Sequence, residues 1–252
     1  MQEAIQGKIS LSCSDLSEMN WIEGHTHGAI KSHTVDVWLG DLTKVKEGEI
    51  ILLKNKLPFD KAEKADRFRS TKDSERYILA HGMLQGIIKK YTGEEKVEIA
   101  FTKYRKPYLP KFPNLSFNMS HSGDRILLAF RFDGAPIGVD IEYAKPGLDI
   151  HLITASYYHI DEQEAVLNSK NPQLFYKLWT RKEALLKAME VGLTEEIKKI
   201  NVMKSATSFL GLGVLDDFNG KDFDIQSFML GQHYFASLAT IKSSLTYSFV
   251  NF

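Results

Sequence analysis

One cysteine, Cys13, in 252 residues leaves no intrachain disulfide framework and no thiolate zinc cluster. Net charge is also missing: 32 lysines and arginines balance 32 aspartates and glutamates. That excludes a general nucleic-acid footprint while leaving room for a local basic pocket. Long apolar runs are absent. A run such as Ile126 to Phe130 falls far short of the roughly 20 residues that a membrane-spanning helix needs. Met1 to Asn20 shows no basic segment followed by an apolar one, so no secretory leader is expected. These absences predict a soluble cytoplasmic protein that binds neither nucleic acid nor membrane. The eight histidines are scattered. His25-Thr26-His27 lacks helical ligand spacing and reads as a loop.

With 43% hydrophobic residues the chain can bury one large core or two small ones. The first 33 or so residues are polar and weakly patterned, and read as a flexible or loosely docked extension. Val35, Val37 and Leu39 then alternate with Asp36 and Trp38 as a strand. A charged helix follows from Asp60 to about Arg69. Ser70 with Asp73 resembles a capping box that opens a second helix, and Gly93 reads as its stop. Strands are expected over Val97 to Thr102, Leu115 to Ser120 and Ile126 to Phe132, the last two joined by the Ser122-Gly123-Asp124 turn. After the strand Gly138 to Glu142 come a helical stretch from about Ile150 to Asn168 and a long helix from Pro172 to Glu190. Asn219-Gly220 predicts a hairpin between Val214 to Phe218 and Phe223 to Met229. Two more strands close the chain, His233 to Thr240 and Leu245 to Phe252. Leu210-Gly211-Leu212-Gly213 resembles a dinucleotide loop, but Asp216 stands where a third glycine is required. The element order predicts an α+β protein of two similarly built halves, 35–136 and 137–252, after an extension over 1–34. Each half would be a small antiparallel sheet packed with helices.

Two segments do not fit a purely structural reading. In Gly138-Val139-Asp140-Ile141-Glu142 the period of two puts both acids on one face of a strand, where like charges repel. A hard divalent cation resolves that repulsion; a solvated strand face would also accommodate it. In Trp179 to Lys187 a helix gathers Phe175, Leu178, Trp179, Leu185, Leu186 and Met189 on one stripe. Glu183 and Lys187 lie one turn apart along its edge, placed to face one ligand or to pair on the surface. Lys182 falls inside the apolar arc, where it needs an anionic partner, expected to be an acid of the site.

Three further clusters bear on chemistry. Arg105-Lys106-Pro107-Tyr108 puts two cations in a proline-stiffened turn. Asn118-Met119-Ser120-His121-Ser122 ends a strand, so Ser120 and His121 could each donate to an anion or simply satisfy local backbone. Their side chains point to opposite faces, so the imidazole cannot serve as base to that hydroxyl. Lys61, Lys64 and Arg67 share one side of a charged helix, which equally describes a solvated face.

In this order, Lys-Pro, Phe-Asn-Met-Ser-His-Ser, Gly-Val-Asp-Ile-Glu and Trp-x-x-Lys-Glu-Ala-x-x-Lys, the set resembles the 4'-phosphopantetheinyl transferase superfamily, in its larger surfactin-type branch. The resemblance runs from about Val35 to Leu193. It implies two pseudo-symmetric halves with the active site in the cleft between them. It also implies transfer of the 4'-phosphopantetheine arm of coenzyme A to a serine of an apo carrier protein of fatty-acid, polyketide or peptide synthesis, releasing adenosine 3',5'-bisphosphate. Asp140 and Glu142 match magnesium ligands. Glu183 matches the third acid, as ligand, base for the carrier serine, or both. Lys187 matches the lysine on the pyrophosphate, and Ser120 and His121 a phosphate-binding pair. Lys106 and Pro107 match the Lys-Pro near adenine and ribose phosphate, and Lys61 and Lys64 the lysines on the 3'-phosphate. Arg105 departs from the glycine common before Lys-Pro. With two halves in one chain, a monomer is expected. A magnesium-dependent phosphohydrolase of nucleotide pyrophosphates, or a non-catalytic carrier-binding module, would share part of this constellation.

Overall fold

Ile9, Leu11 and Cys13 alternate with Lys8, Ser10 and Ser12, and in the computed structural model this short pattern forms a strand, β1 (Gly7–Asp15). The structure describes residues 7–24, 33–169, 171–210 and 218–252. The expectations for residues 25–27, 211–213 and 214–217 lie outside them. Next come β2 (Trp21–Glu23), β3 (Thr34–Asp41), α1 (Glu47–Lys56), α2 (Phe59–Asp66), α3 (Thr71–Thr92), β4 (Ala100–Phe101), β5 (Pro107–Tyr108), β6 (Ser116–Ser122) and β7 (Arg125–Arg131). The remainder is β8 (Ile137–Tyr143), α4 (His151–Tyr157), α5 (Ile160–Asn168), α6 (Gln173–Ala188), β9 (Ala206–Leu210), β10 (Asp222–Leu230), β11 (Tyr234–Ile241) and β12 (Thr246–Asn251).

The fold is α+β, as the element order predicts. One five-stranded sheet runs β6-β7-β3-β12-β2 and the other β8-β11-β10-β1-β9. The helices α1 to α3 cover the first sheet, with Ile78, Met83 and Ile87 packed on Leu128 and Phe130. The helices α4 to α6 cover the second, with Phe175, Leu185 and Leu186 packed on Phe223 and Ile225. Between the sheets a third apolar cluster joins Val35, Val37 and Leu127 to Val139, Ile141 and Leu238. The layers therefore run helix, sheet, sheet, helix. No helix among the described residues is long and apolar enough to cross a membrane.

The two ends of the chain correct the reading of separate halves behind a loose extension. β1 pairs in parallel with β10, Leu11 opposite Phe223, and Ile9 and Leu11 are buried. β12 pairs in parallel with β3, Phe249 opposite Val37. Each end thus supplies a strand to the sheet otherwise built from the other half, so both sheets are mixed rather than purely antiparallel. Without these strands, β10 and β3 would each present an open edge. β1 lies between β9 and β10, and the first strand of the hairpin expected around Asn219-Gly220 falls largely outside the described residues. That turn docks on β1: Asn219 Oδ1 accepts from the Lys8 amide at 2.8 Å.

Ser70 caps α3 by accepting from the Asp73 amide, and Gly93 ends it in the left-handed region at φ 74°. α1 has no clear apolar stripe, since only Ile50 is buried while Ile51 and Leu52 face solvent. The stretch from Ile150 to Asn168 is two helices. The His159 amide donates to Glu162 Oε2 at 2.8 Å, a new N-terminal cap that breaks the first helix from the second.

The position of α6 matters most for the site. A Cβ on Gly138 would lie 2.0 Å from the Ala184 carbonyl oxygen and 2.5 Å from the Ala188 amide. Only glycine therefore lets the helix rest on β8 at this distance. Arg181, 2% exposed, ties the back of α6 to Ser227 Oγ (2.7 Å), the Val202 carbonyl (2.8 Å) and Asp15 Oδ1 (2.9 Å). Lys182 resolves its anomaly away from the site. It pairs with fully buried Glu162 of α5 at 2.8 Å and donates to the carbonyls of Ile197 and Ile200.

Gly138→Ala is expected to lose about 1–3 kcal/mol or more, the usual penalty of overpacking, because backbone rather than a side-chain tip must yield. Glu162→Ala strands the Lys182 ammonium in the core and is expected to cost about 3–5 kcal/mol. Urea unfolding at neutral pH measures both.

Candidate functional site

β6 and β8 are edge strands of different sheets, and they meet through side chains rather than through a backbone ladder. On β6 the period of two turns Asn118, Ser120 and Ser122 toward β8. Asn118 Oδ1 accepts from the Val139 amide at 2.9 Å, Ser120 Oγ from Ile141 at 3.3 Å, and Ser122 Oγ from Tyr143 at 3.0 Å. Each side chain stands where the carbonyl of a neighbouring strand would otherwise be. Both serine hydroxyls retain a proton to give, and both give it to an acid. Ser120 donates to Asp140 Oδ1 and Ser122 to Glu142 Oε2, each at 2.8 Å.

α6 closes the cluster from the other side. Lys187 Nζ lies 2.7 Å from Asp140 Oδ1 and donates also to Ser120 Oγ and the Val139 carbonyl, both at 3.2 Å. Glu183 sits one turn earlier. Burial first, and then the negative charge of Asp140, lift its carboxyl to about 7, against a smaller opposing pull from Lys187. The same two causes, in the same order, raise Glu142. Asp140 Oδ2 is buried without a hydrogen-bond partner.

That orphaned oxygen, beside two carboxyls raised by burial and by the charge of Asp140, is what a cation would relieve. Among the described residues no three acidic, imidazole or thiol side chains converge tightly enough to cage a metal. Asp140 and Glu142, with Glu183 beside them, are the side chains here that could hold a hard cation with oxygen ligands and retained waters.

A second group of charges is basic. His81 of α3 is held down to about 4, by burial first and then by Lys61 and Lys64 of α2. His121, at the end of β6, also weighs on it. His121 itself is lowered by surrounding protein and then by Arg76, with Lys187 a smaller influence. Lys64 lies over the Tyr77 ring, 5.2 Å from its centroid, and the Tyr77 and His81 rings are 4.2 Å apart. Cationic side chains thus run from α2 past His121 to Lys187 and the acids.

The structure brings together Ser120, Asp140, Glu142, Glu183 and Lys187. It places Lys61 and Lys64 in the basic group with His121. Lys106, 10% exposed, is held outside this cluster, donating to the Ile137 carbonyl at 3.0 Å and paired with Glu190 at 3.3 Å. Pro107 opens β5 opposite Phe101. Sequence reasoning missed Arg76 and His81, because a basic residue on the polar side of an amphipathic helix carries no signal. The Ser122 to Glu142 bond was also missed, although the alternation of Asn118, Ser120 and Ser122 contained it.

Comparison with known proteins adds an independent finding. The profile of the 4'-phosphopantetheinyl transferase superfamily matches residues 136–239, and that of the 4'-phosphopantetheinyl transferase N-terminal region matches residues 45–132. The chain is 31% identical over 147 residues to the 4'-phosphopantetheinyl transferase Sfp of Bacillus subtilis, covering 57% of this chain and 64% of that protein. It is 29% identical over 188 residues to the 4'-phosphopantetheinyl transferase HetI of a Nostoc species, covering 71% and 78%. Against the L-aminoadipate-semialdehyde dehydrogenase-phosphopantetheinyl transferase of Rattus norvegicus it is 24% identical over 210 residues, covering 73% and 66%. The Bacillus relatives are therefore matched over somewhat less than two thirds of their length. With two profiles of one enzyme group lying side by side along it, the chain belongs to the 4'-phosphopantetheinyl transferase superfamily.

Proposed function

We propose that the protein transfers the 4'-phosphopantetheine arm of coenzyme A to a serine of an apo carrier protein, releasing adenosine 3',5'-bisphosphate. The observation that carries this reading is the acid cluster at the β6–β8 seam: Asp140 with its unpartnered buried oxygen, Glu142, and Glu183 lifted to about 7.

Transfer requires the carrier serine oxygen to attack the pantetheine-side phosphorus. The bond from that phosphorus to the bridging oxygen breaks, and the oxygen leaves with the nucleotide. Glu183 takes the serine proton, a task suited to a carboxylate whose pKa lies near the working pH. Lys187, now on Asp140, has ammonium protons to share with a pyrophosphate oxygen. Ser120 and Ser122 hold the two acids in place. Lys61, Lys64 and His121 receive the 3'-phosphate end, and Lys106 with Pro107 flanks the base and ribose. Asp140 and Glu142, with Glu183, would hold a magnesium ion, which would supply charge neutralisation at the pyrophosphate.

The substrates are coenzyme A and a carrier of the acyl, polyketide or peptidyl kind. The protein acts in the cytoplasm as a monomer, a reading supported by the exchange of terminal strands within one chain. The unpaired thiol of Cys13 agrees with a reducing compartment.

Incubation with coenzyme A, magnesium and a panel of apo carriers, read by intact mass, tests the assignment. Asp140→Ala and Glu183→Ala are expected to abolish transfer while retaining the wild-type circular dichroism spectrum. Near-normal modification by either variant overturns the assignment. Nucleotide bisphosphate released with no gain of carrier mass would instead identify a phosphohydrolase.

The acids also predict a pH dependence of stability. Folding raises the Glu183 pKa from 4.5 to about 7, so between these values the folded state binds more protons than the unfolded state. Stability is then lost as pH rises through that window. In chelator, Glu183→Gln is expected to escape this loss and melt above wild type at about pH 8, with the gap narrowing toward about pH 5. Thermal melts across pH measure it.

A further inference from the structure

Among the described residues, three that are not glycine have a positive φ: His33, Arg105 and Glu190. Two of the three belong to or adjoin a single ion pair. Arg105, at φ 66°, precedes Lys106, and Glu190, at φ 59°, is the partner of Lys106. A left-handed backbone at a residue with a Cβ is unfavourable, and it persists where surrounding structure requires it.

Glu190 sits where a helix ordinarily ends on glycine. The Val191 amide donates back to the Leu186 carbonyl at 3.1 Å and the Glu190 amide to Lys187 at 3.3 Å, the closing bonds of a left-handed C-terminal cap. Glycine would make this cap without strain. What glycine cannot supply is a carboxylate reaching across to the Arg105–Pro107 turn, and here that carboxylate lies 3.3 Å from Lys106 Nζ. Lys106 is further pinned by the Ile137 carbonyl at the start of β8. Two of its three ammonium protons are thereby directed. On the other side, the turn is closed by the Arg105 amide on Thr102 and the Thr102 amide on Lys106. Both strained residues thus serve the placement of one ammonium group.

We propose that Glu190 is a positioning residue for nucleotide binding: from the cap of α6 it fixes the Lys106 ammonium at the joint between the two halves, so that coenzyme A meets a preset cation. This inference rests on the coenzyme A reading above. It makes the affinity of a first-half lysine depend on a second-half residue that never touches the nucleotide.

The test uses the whole chain, with calorimetric binding of coenzyme A, steady-state KM and kcat, and thermal melts. Glu190→Gly relieves the cap and is expected to melt at or above wild type. Its Kd and KM for coenzyme A should nevertheless rise about two- to fivefold, the scale of a partly exposed ion pair, with a smaller change in kcat. Glu190→Gln should move binding in the same direction. In a Lys106→Met background, Glu190→Gly should add no further weakening, because its effect runs through Lys106. Unchanged binding in Glu190→Gly would reduce the residue to a cap, and tighter binding would make its carboxylate a competitor of the ligand. Either result overturns the proposal while leaving the enzyme reading intact. A wild-type protein that fails to bind coenzyme A would overturn both.

Discussion

Everything in the site depends on the way β6 meets β8. An edge strand carries amide groups that must find acceptors, and burying them unpaired would cost about 1–3 kcal/mol each. Here Asn118, Ser120 and Ser122 supply the acceptors. The same two hydroxyls then spend their protons on Asp140 and Glu142. Seam and acid cluster are consequently one hydrogen-bonded object. A shift of β6 along β8 by one residue would turn its polar side chains away and leave both the amides and the carboxylates without partners.

α6 brings the remaining groups to that seam, and its neighbouring residues divide the labour. Arg181 and Lys182 are anchors, buried against β1, β10, α5 and the segment around Ile197–Val202. Glu183, the next residue, turns about 100° further round the helix and joins the acids. Lys187 follows one turn on. Rigid support on one side is what allows an unfavourable arrangement on the other, three carboxyls of which two are lifted by burial and by the charge of Asp140. Such a cluster works against folding, and the close contact at Gly138 with the Arg181 network offsets it.

The sequence made the acids legible because alternation on a strand and spacing on a helix are local rules. Asp140, Glu142, Glu183 and Lys187 needed only those rules, and the structure brings them together. Lys182 was legible as an anomaly but not in its resolution, since Glu162 belongs to a helix 20 residues away whose start is set by a histidine cap. β1 was misjudged because serines fill its outward positions, so its alternation of Ile9, Leu11 and Cys13 looked weak. Its pairing with β10 joins residues more than 200 apart, which no local pattern encodes. The bridge from Lys106 to Glu190 was hidden for a related reason: left-handed backbone at a non-glycine residue has no sequence mark.

The two sheets share one plan. From the seam outward, β6 and β8 are each followed by two antiparallel neighbours and then by a parallel strand taken from the far end of the chain. β6 and β8 therefore occupy equivalent places, yet carry different chemistry: Asn118, Ser120 and Ser122 on one, Asp140 and Glu142 on the other. Acids on both strands would repel across the seam, and neutral groups on both would leave nothing to attract a cation. A neutral strand that donates hydrogen bonds, set against an acidic strand that accepts them, permits close contact and still leaves Asp140 Oδ2 unpartnered. The acid cluster rests on that asymmetry within a nearly symmetric frame.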